Sequence, residues 1–251
     1  MKKKTLRLKK LCYLTMTVVY FRSGFGQFKS IIHRISKLSS EATITICSST
    51  MTIYFNHGHI TIPIHACITE EISIKVNTIS LSKSLKNVSN ISNIDNIDIS
   101  FNKISIQSKE PDGKREYVFK VEATECLESF ILTKTDIDLY PCFDVKKLIW
   151  ICEKITNCFS DSHVYLNEGI MEVYGETDEY KTVSHIDLSS NNHDTIKRTI
   201  PTQKLLNMAW ILEGISQSIY VSTDPHTFQI KLISHDSHHV HRNTPCVSMI
   251  L

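Results

Sequence analysis

The residues of this sequence that could do chemistry together are its lysines. Lys29, His33 and Lys37 stand four apart with Arg34 beside them, and Lys83 and Lys86 follow in "SLSKSLKNVSN". Lys146, Lys147 and Lys154 fall in "FDVKKLIWICEKITNCF", and Lys204 in "PTQKLLNMAWILEGI". On a helix, solvated lysines ordinarily alternate with glutamates for i,i+4 support. Here only Glu153 and Glu213 interrupt the four helices. A surface facing phosphates accounts for the missing acids, because a nearby carboxylate would repel the polyanion. The net charge of +2 is close to neutral, so the argument rests on where the charges sit.

Other chemistry finds little support. The glycines form no GxxxxGK and no GxGxxG, so loops that cradle phosphate are absent, and there is no GxSxG or HExxH. A non-catalytic protein without a cofactor is expected. His235, His238, His239 and His241 lie close together with Cys246 nearby, and imidazole is a common metal ligand. Structural zinc, however, usually shows two ligand pairs on ordered turns, so the tract reads as a polar terminal segment with no metal. His57 and His59 flank Gly58 at an expected hairpin turn.

The segments that carry the lysines are amphipathic helices between strands. Phe28, Ile31, Ile32, Ile35 and Leu38 mark one face of a first helix; Leu81, Leu85 and Val88 mark one face of a second. Between them "ATITICSSTMTIYF" alternates Ile44, Ile46, Met51, Ile53 and Phe55, the period of a half-buried hairpin. The order then recurs. Val145, Leu148, Ile149, Cys152 and Ile155 match the first helix at a displacement of 117, and Val164, Leu166, Met171 and Val173 match the hairpin at 120. "PTQKLLNMAWILEGI", with Pro201 suited to a first helical turn, echoes the second helix. A duplication of this length implies two tandem similar units, 14–121 and 137–251, joined by a connector over 122–136. The expected fold is α+β, with antiparallel sheets on one side and four short basic-faced helices on the other.

The eight cysteines are scattered without a CxxC, and the chain is long enough to need no disulfide staples, which indicates a reducing compartment. "KKKTLRLKK" followed by "LCYLTMTVVYF" has the charged and apolar parts of a signal peptide, but no small-x-small site follows. The apolar run is too short to span a bilayer. Residues 1–13 therefore read as a basic, disordered extension, whose lysines also suit nuclear import.

Two tandem units, each with two short helices whose basic faces point the same way, resemble the sliding DNA clamps related to proliferating-cell nuclear antigen (PCNA). "SLSKSLKNVSN" is similar to the second helix of such clamps, in which a leucine precedes one lysine and another lysine follows three residues later. In that family these lysines face DNA in the central hole of a ring, which the resemblance carries onto Lys83 and Lys86. Within the family the chain resembles the Hus-type subunit of the heterotrimeric checkpoint clamp, through "FKSIIHRISKLSSEATITI" and "CEKITNCFSDSHVYLNEGIMEVYGETDE". The similarity runs over roughly residues 16–234. It implies a nuclear ring subunit in damage signalling and repair. The implied partners are double-stranded DNA held without regard to sequence, two other clamp-like subunits and a clamp loader, with no membrane. The sequence also departs from the family. The connector lacks the apolar anchor of replicative clamps, "HVHRNTPCVSMIL" matches the closing strand imperfectly, and the basic extension has no counterpart. A homotrimeric replicative clamp is the alternative. A secreted β-rich interaction protein, suggested by the amino terminus and the sequons at Asn87 and Asn90, is a third.

Overall fold

The computed structural model describes residues 17–21, 25–56, 58–68, 71–88, 93–100, 103–110, 113–124, 142–167, 169–188, 195–215, 218–224, 229–234 and 246–251. The basic extension, most of the connector, the histidine tract and Asn90 lie outside these residues.

The first half runs β1 (Thr17–Phe21), α1 (Phe25–Ile35), β2 (Glu41–Ile46), β3 (Thr50–Phe55), β4 (Gly58–Ala66), β5 (Ile72–Asn77) and α2 (Thr78–Leu85). It continues through β6 (Asn93–Ser100), β7 (Lys103–Glu110), β8 (Gly113–Lys120) and β9 (Glu122–Ala123). The same order then repeats: β10 (Cys142–Asp144), α3 (Val145–Thr156), β11 (Asp161–Asn167), β12 (Ile170–Glu176), β13 (Lys181–Asp187), β14 (Ile196–Pro201) and α4 (Thr202–Glu213). Three strands close the chain: β15 (Ser218–Asp224), β16 (Gln229–Ser234) and β17 (Cys246–Ile250). Among the described residues every strand pairing is antiparallel. The fold is α+β, as expected.

The repeat holds at the level of register. Ile44 pairs with Ile53 and Ile46 with Met51; 120 positions later Val164 pairs with Val173 and Leu166 with Met171. The first and third helices obey the same 120, not the 117 that their apolar spacing suggested. α1 buries Phe25, Phe28, Ile31, Ile32 and Ile35, and α3 buries Val145, Leu148, Ile151, Cys152 and Ile155, each 120 further on. A slip of three residues is nearly one helical turn, so the stripe survives it and the sequence alone misaligned the helices. Backbone bonds agree: Ser39 N donates to Ile35 O, and Phe159 N to Ile155 O, both at 2.9 Å.

The second helices enter alike. Thr78 N donates to Ser40 O at 2.9 Å and Thr202 N to Ser160 O at 2.8 Å, and both threonines are fully buried. Asn77 caps α2, its side chain accepting from Ser80 N, whereas Pro201 occupies the corresponding position of α4 as the last residue of β14. That is one place ahead of the expected first turn, because Thr202 supplies the buried bond that opens the helix. α4 also departs from the single stripe expected of it, burying Leu205, Leu206, Asn207, Met208, Ala209, Ile211 and Leu212. It packs against both α1 and α3, which covers it on two sides.

Among the described residues thirteen strands join into one sheet and four into another, ordered β13-β12-β11-β14. The larger sheet crosses from one half to the other where β17 pairs with β4. There β4 changes partner: residues 58–61 face β17 and residues 64–66 face β1. Pro63, which has no N–H to give, falls in the gap between the two neighbours. The hairpin β2–β3 is buried more deeply than its alternation suggested. Thr45 and Thr52 lie inside as well, bonded to Ser73 at 2.6 Å and Thr61 at 3.2 Å on the flanking strands. Glu122–Ala123, at the start of the expected connector, is still strand and pairs with β5.

Candidate nucleic-acid interface

The helices stand in a continuous row, α2 against α1, α1 against α4 and α4 against α3. Their apolar residues pack towards the sheets, α2 on β2 and β5, α3 on β10, β12 and β13, α4 on β11 and β14. Lys37, Lys83, Lys86, Lys146, Lys147 and Lys154 are left on the exposed face of this row or at its end. None of them forms an ion pair, and among the described residues every ion pair lies on strands. Lys75 meets Glu41 at 2.6 Å, and Lys181 meets Glu176 at 3.9 Å. Two strand lysines thus meet carboxylates and none of these six does, although Lys197 on β14 stands over the Tyr174 ring instead of an acid.

Three of the sequence-derived residues are drawn into the fold. Lys29 is half-buried and donates from Nζ to the carbonyl of Val88 at 2.8 Å, meeting the negative end of the turn that follows α2. Arg34 is half-buried against the end of α4, its guanidinium 3.2–3.3 Å from where a Cβ on Gly214 would sit, so a side chain there would have to displace it by a few tenths of an ångström. Its Nη1 is enclosed without a hydrogen-bond partner. Lys204, also half-buried, is the one basic residue of α4; Asn207, which follows it by one turn, is buried. The first helix thus spends two of its cations on its neighbours.

α1 and α2 nonetheless build one positive cluster. His33 Nδ1 lies 3.1 Å from Ser82 Oγ, which ties the two helices together. Burial, followed by the charges of Lys37, Lys86 and Arg34, holds the His33 pKa below its usual value. The neutral imidazole can therefore sit among three cations without adding a fourth charge. Lys37 stands over the Trp210 ring of α4, 5.5 Å from its centroid, and so joins the first half to the second. Along α3, capped by Asp144 accepting from Lys146 N at 2.9 Å, Lys154 sits 5.7 Å from the centroid of Trp150.

The sequence reading missed both tryptophans. Trp150 had a visible signal, standing four residues from Lys146 and four from Lys154 on the exposed row. Trp210 had none, since its partner is 173 positions away. Among the described residues no cluster of His, Cys, Asp and Glu is placed to hold a metal ion, and no helix is long and apolar enough to cross a membrane.

No protein-family model matches the chain, and no curated protein sequence matches it. Its structure is similar to the crystal structure of proliferating cellular nuclear antigen from Entamoeba histolytica, with a TM-score of 0.67. The match covers 95% of this chain and 98% of that one. The fold is that of a PCNA-like clamp. Sequence identity is 10%, so the likeness speaks for the architecture, and the function must be argued from this chain's own surface.

Proposed function

We propose that the chain is a non-catalytic subunit of a ring-shaped sliding clamp that encircles double-stranded DNA. The carrying observation is the row of helices whose exposed lysines Lys83, Lys86, Lys146, Lys147 and Lys154 form no ion pair, whereas Lys75 and Lys181 on the strands do. Phosphates are the partners that such a surface fits, and phosphate contacts carry no sequence information. Lysine suits a sliding contact because it is a hydrated point charge on a flexible stem, not a bidentate fork. Lys37 belongs to the same surface, with Lys29, Arg34 and Lys204 serving the packing behind it.

The ring itself is inferred from open sheet edges, of which β9 lies in the first half and β13 in the second; β8, β10 and β14 also pair on one side only among the described residues. Among the described residues β13 pairs only with β12, and β9, next to β5, has no second partner. Edges of this kind take up strands from another chain. In this reading 14–121 and 137–251 are two domains joined by 122–136, and two further clamp-like chains complete the ring, set on DNA by a loader. The Hus-type resemblance assigns the ring to checkpoint signalling and repair in the nucleus. In the alternative, three copies of this chain make a replicative clamp.

The test is association of the assembled ring with duplex DNA across a salt series. Lys83→Ala with Lys86→Ala should lower the slope of log affinity against log salt by about 2, close to 1 for each phosphate contact. An unchanged slope would mean that these lysines only solvate an outer face, and the clamp reading would fall. Mass measurement separates the two rings: a trimer of the chain alone favours the replicative clamp, a monomer that assembles only with two other clamp-like chains the checkpoint one.

A further inference from the structure

The chain contains one junction of the kind that a ring needs, and its two free ends differ from it in charge. Inside the chain β17 lies on β4, and α4 lies on α1. The repeat carries that junction onto the ends. β13 stands to β12 as β4 stands to β3, Met171 pairing with Ile186 as Met51 pairs with Ile62. β8 lies beside β7 as β17 lies beside β16. A neighbour joined in the same way would bring its β8 and α2 to the β13 and α3 of this chain.

The internal junction carries little charge. β17 has no charged residue. α1 has Gly26, Gln27 and Ser30 before Arg34, which lies by Gly214, and Lys37 finds the Trp210 ring. The positions 120 beyond Gly26, Gln27, Ser30 and Arg34 are Lys146, Lys147, Trp150 and Lys154, all exposed. The first three line, with Val183 and His185 of β13, an open cleft of about 560 Å³. No carboxylate lines it, although Glu172 meets His185 at 3.5 Å. The other end is basic too. The second helices start 124 apart, at Thr78 and Thr202, so the counterpart of Trp210 is Lys86. α2 and its cap hold Lys83 and Lys86 without an acid, and β8 holds Lys114, Arg115 and Lys120 against Glu116. Two copies joined by these ends would set lysines against lysines, with a lysine in place of the ring that receives Lys37 inside the chain.

We propose that the cleft between α3 and β13 seats a clamp-like chain of another sequence whose facing strand and helix are acidic, and that like charge bars a second copy of this chain from it. Charge complementarity across an interface selects partners in this way, and like charges suppress the wrong one. Trp150, exposed to 58%, is the apolar anchor of the contact, since a tryptophan buried at the centre of an interface carries much of its energy. This rests on the ring reading and names the neighbour that the ring requires.

The test uses the full chain at low salt, without DNA, and reads its mass in solution. The wild type should be a monomer. Lys83→Glu with Lys86→Glu and Lys120→Glu makes the α2–β8 end acidic; all three side chains are exposed, so the variant should fold, which circular dichroism checks. It should associate with itself at least about 100-fold more tightly than the wild type, into a trimer that added salt weakens. Adding Lys146→Glu with Lys147→Glu to it should return a monomer, and adding Trp150→Ala instead should weaken the trimer. A trimer of the wild type overturns the proposal and leaves the clamp reading standing, with the replicative ring favoured. A folded triple variant that stays monomeric overturns the proposal, as does one that associates equally well with the α3 lysines reversed. In both cases the clamp reading is judged separately, by the salt slope of DNA association.

Discussion

Adding one methyl group at Gly175, in β12, would place its carbon 2.4 Å from both Cγ and Cδ2 of Phe159 and 2.9 Å from its Cβ. Phe159 cannot swing aside freely. Its backbone N–H is bonded to Ile155 O at the end of α3, and its ring is stacked on Tyr180, 5.7 Å between centroids and 9° between planes. Overpacking of this kind costs about 1–3 kcal/mol. Replacing glycine by alanine in an ordinary strand returns about 0.4–1 kcal/mol through the unfolded chain. Gly175→Ala should therefore destabilise by about 1–2 kcal/mol, the balance of those two effects. For a chain of this size that lowers Tm by about 2–4 °C per kcal/mol. Urea unfolding followed by circular dichroism gives the free energies, and Phe159→Leu makes a cycle with the glycine variant. Leucine frees the space, so the double variant should be more stable than the sum of the singles by at least about 0.5 kcal/mol. If the two changes add, Phe159 does not rest on Gly175 and the packing described at the end of α3 is wrong.

Stability should fall on acidification through two histidines. Burial first, then the charges of Lys37, Lys86 and Arg34, lowers the pKa of His33, and burial lowers that of His59. The unfolded chain then takes up protons at the ordinary value of 6.5 before the folded chain does, so stability is whole above that pH and declines as pH drops below it. Urea midpoints at about pH 8 and pH 5.5 should separate in the wild type and separate less in His33→Gln; equal separations would contradict the burial of His33. The cysteines should divide by exposure. Burial pushes the Cys152 thiol up to about 12, whereas Cys67 and Cys158 are exposed. At about pH 8 a thiol reagent, read by peptide mass, should mark Cys67 and Cys158 on the native protein and Cys152 only after unfolding; native labelling of Cys152 would refute its place in the core.

What could be read from the sequence was periodic and local. Leu81 and Leu85 gave the buried stripe of α2, with Val88 buried in the turn beyond it, and Ile44 to Phe55 gave the inward side of a hairpin, because burial on one face leaves a repeat in the chain. The period shows which residues face inward, but not where one helix aligns with another: a slip of three residues was invisible until hydrogen bonds at Ser39 and Phe159 fixed it. The exposed lysines of α2 and α3 were legible for the same local reason. Lys29 and Arg34 were not, since their fates depend on Val88 and Gly214, at distances in sequence that no pattern spans. The polar interior of β2 and β3 was hidden too. Thr45 is tolerated inside only because Ser73, on a strand 28 positions away, completes its bond.

The pairing of β17 with β4 sets a schedule for synthesis. Thr61 must wait for Cys246, 185 positions later, before residues 58–61 of β4 gain their outer neighbour. At about 5–20 residues per second that interval is roughly 10–40 s. During it the upper part of β4 is a naked sheet edge next to a strand, β3, that is already paired. A nascent chain in this condition can borrow a strand from another nascent chain, so crowding of ribosomes on one message would raise the fraction that misassembles. Slower initiation or a holding chaperone should improve the yield of native protein. The last strand is therefore a latch, and the time before it closes is when this chain is most open to error.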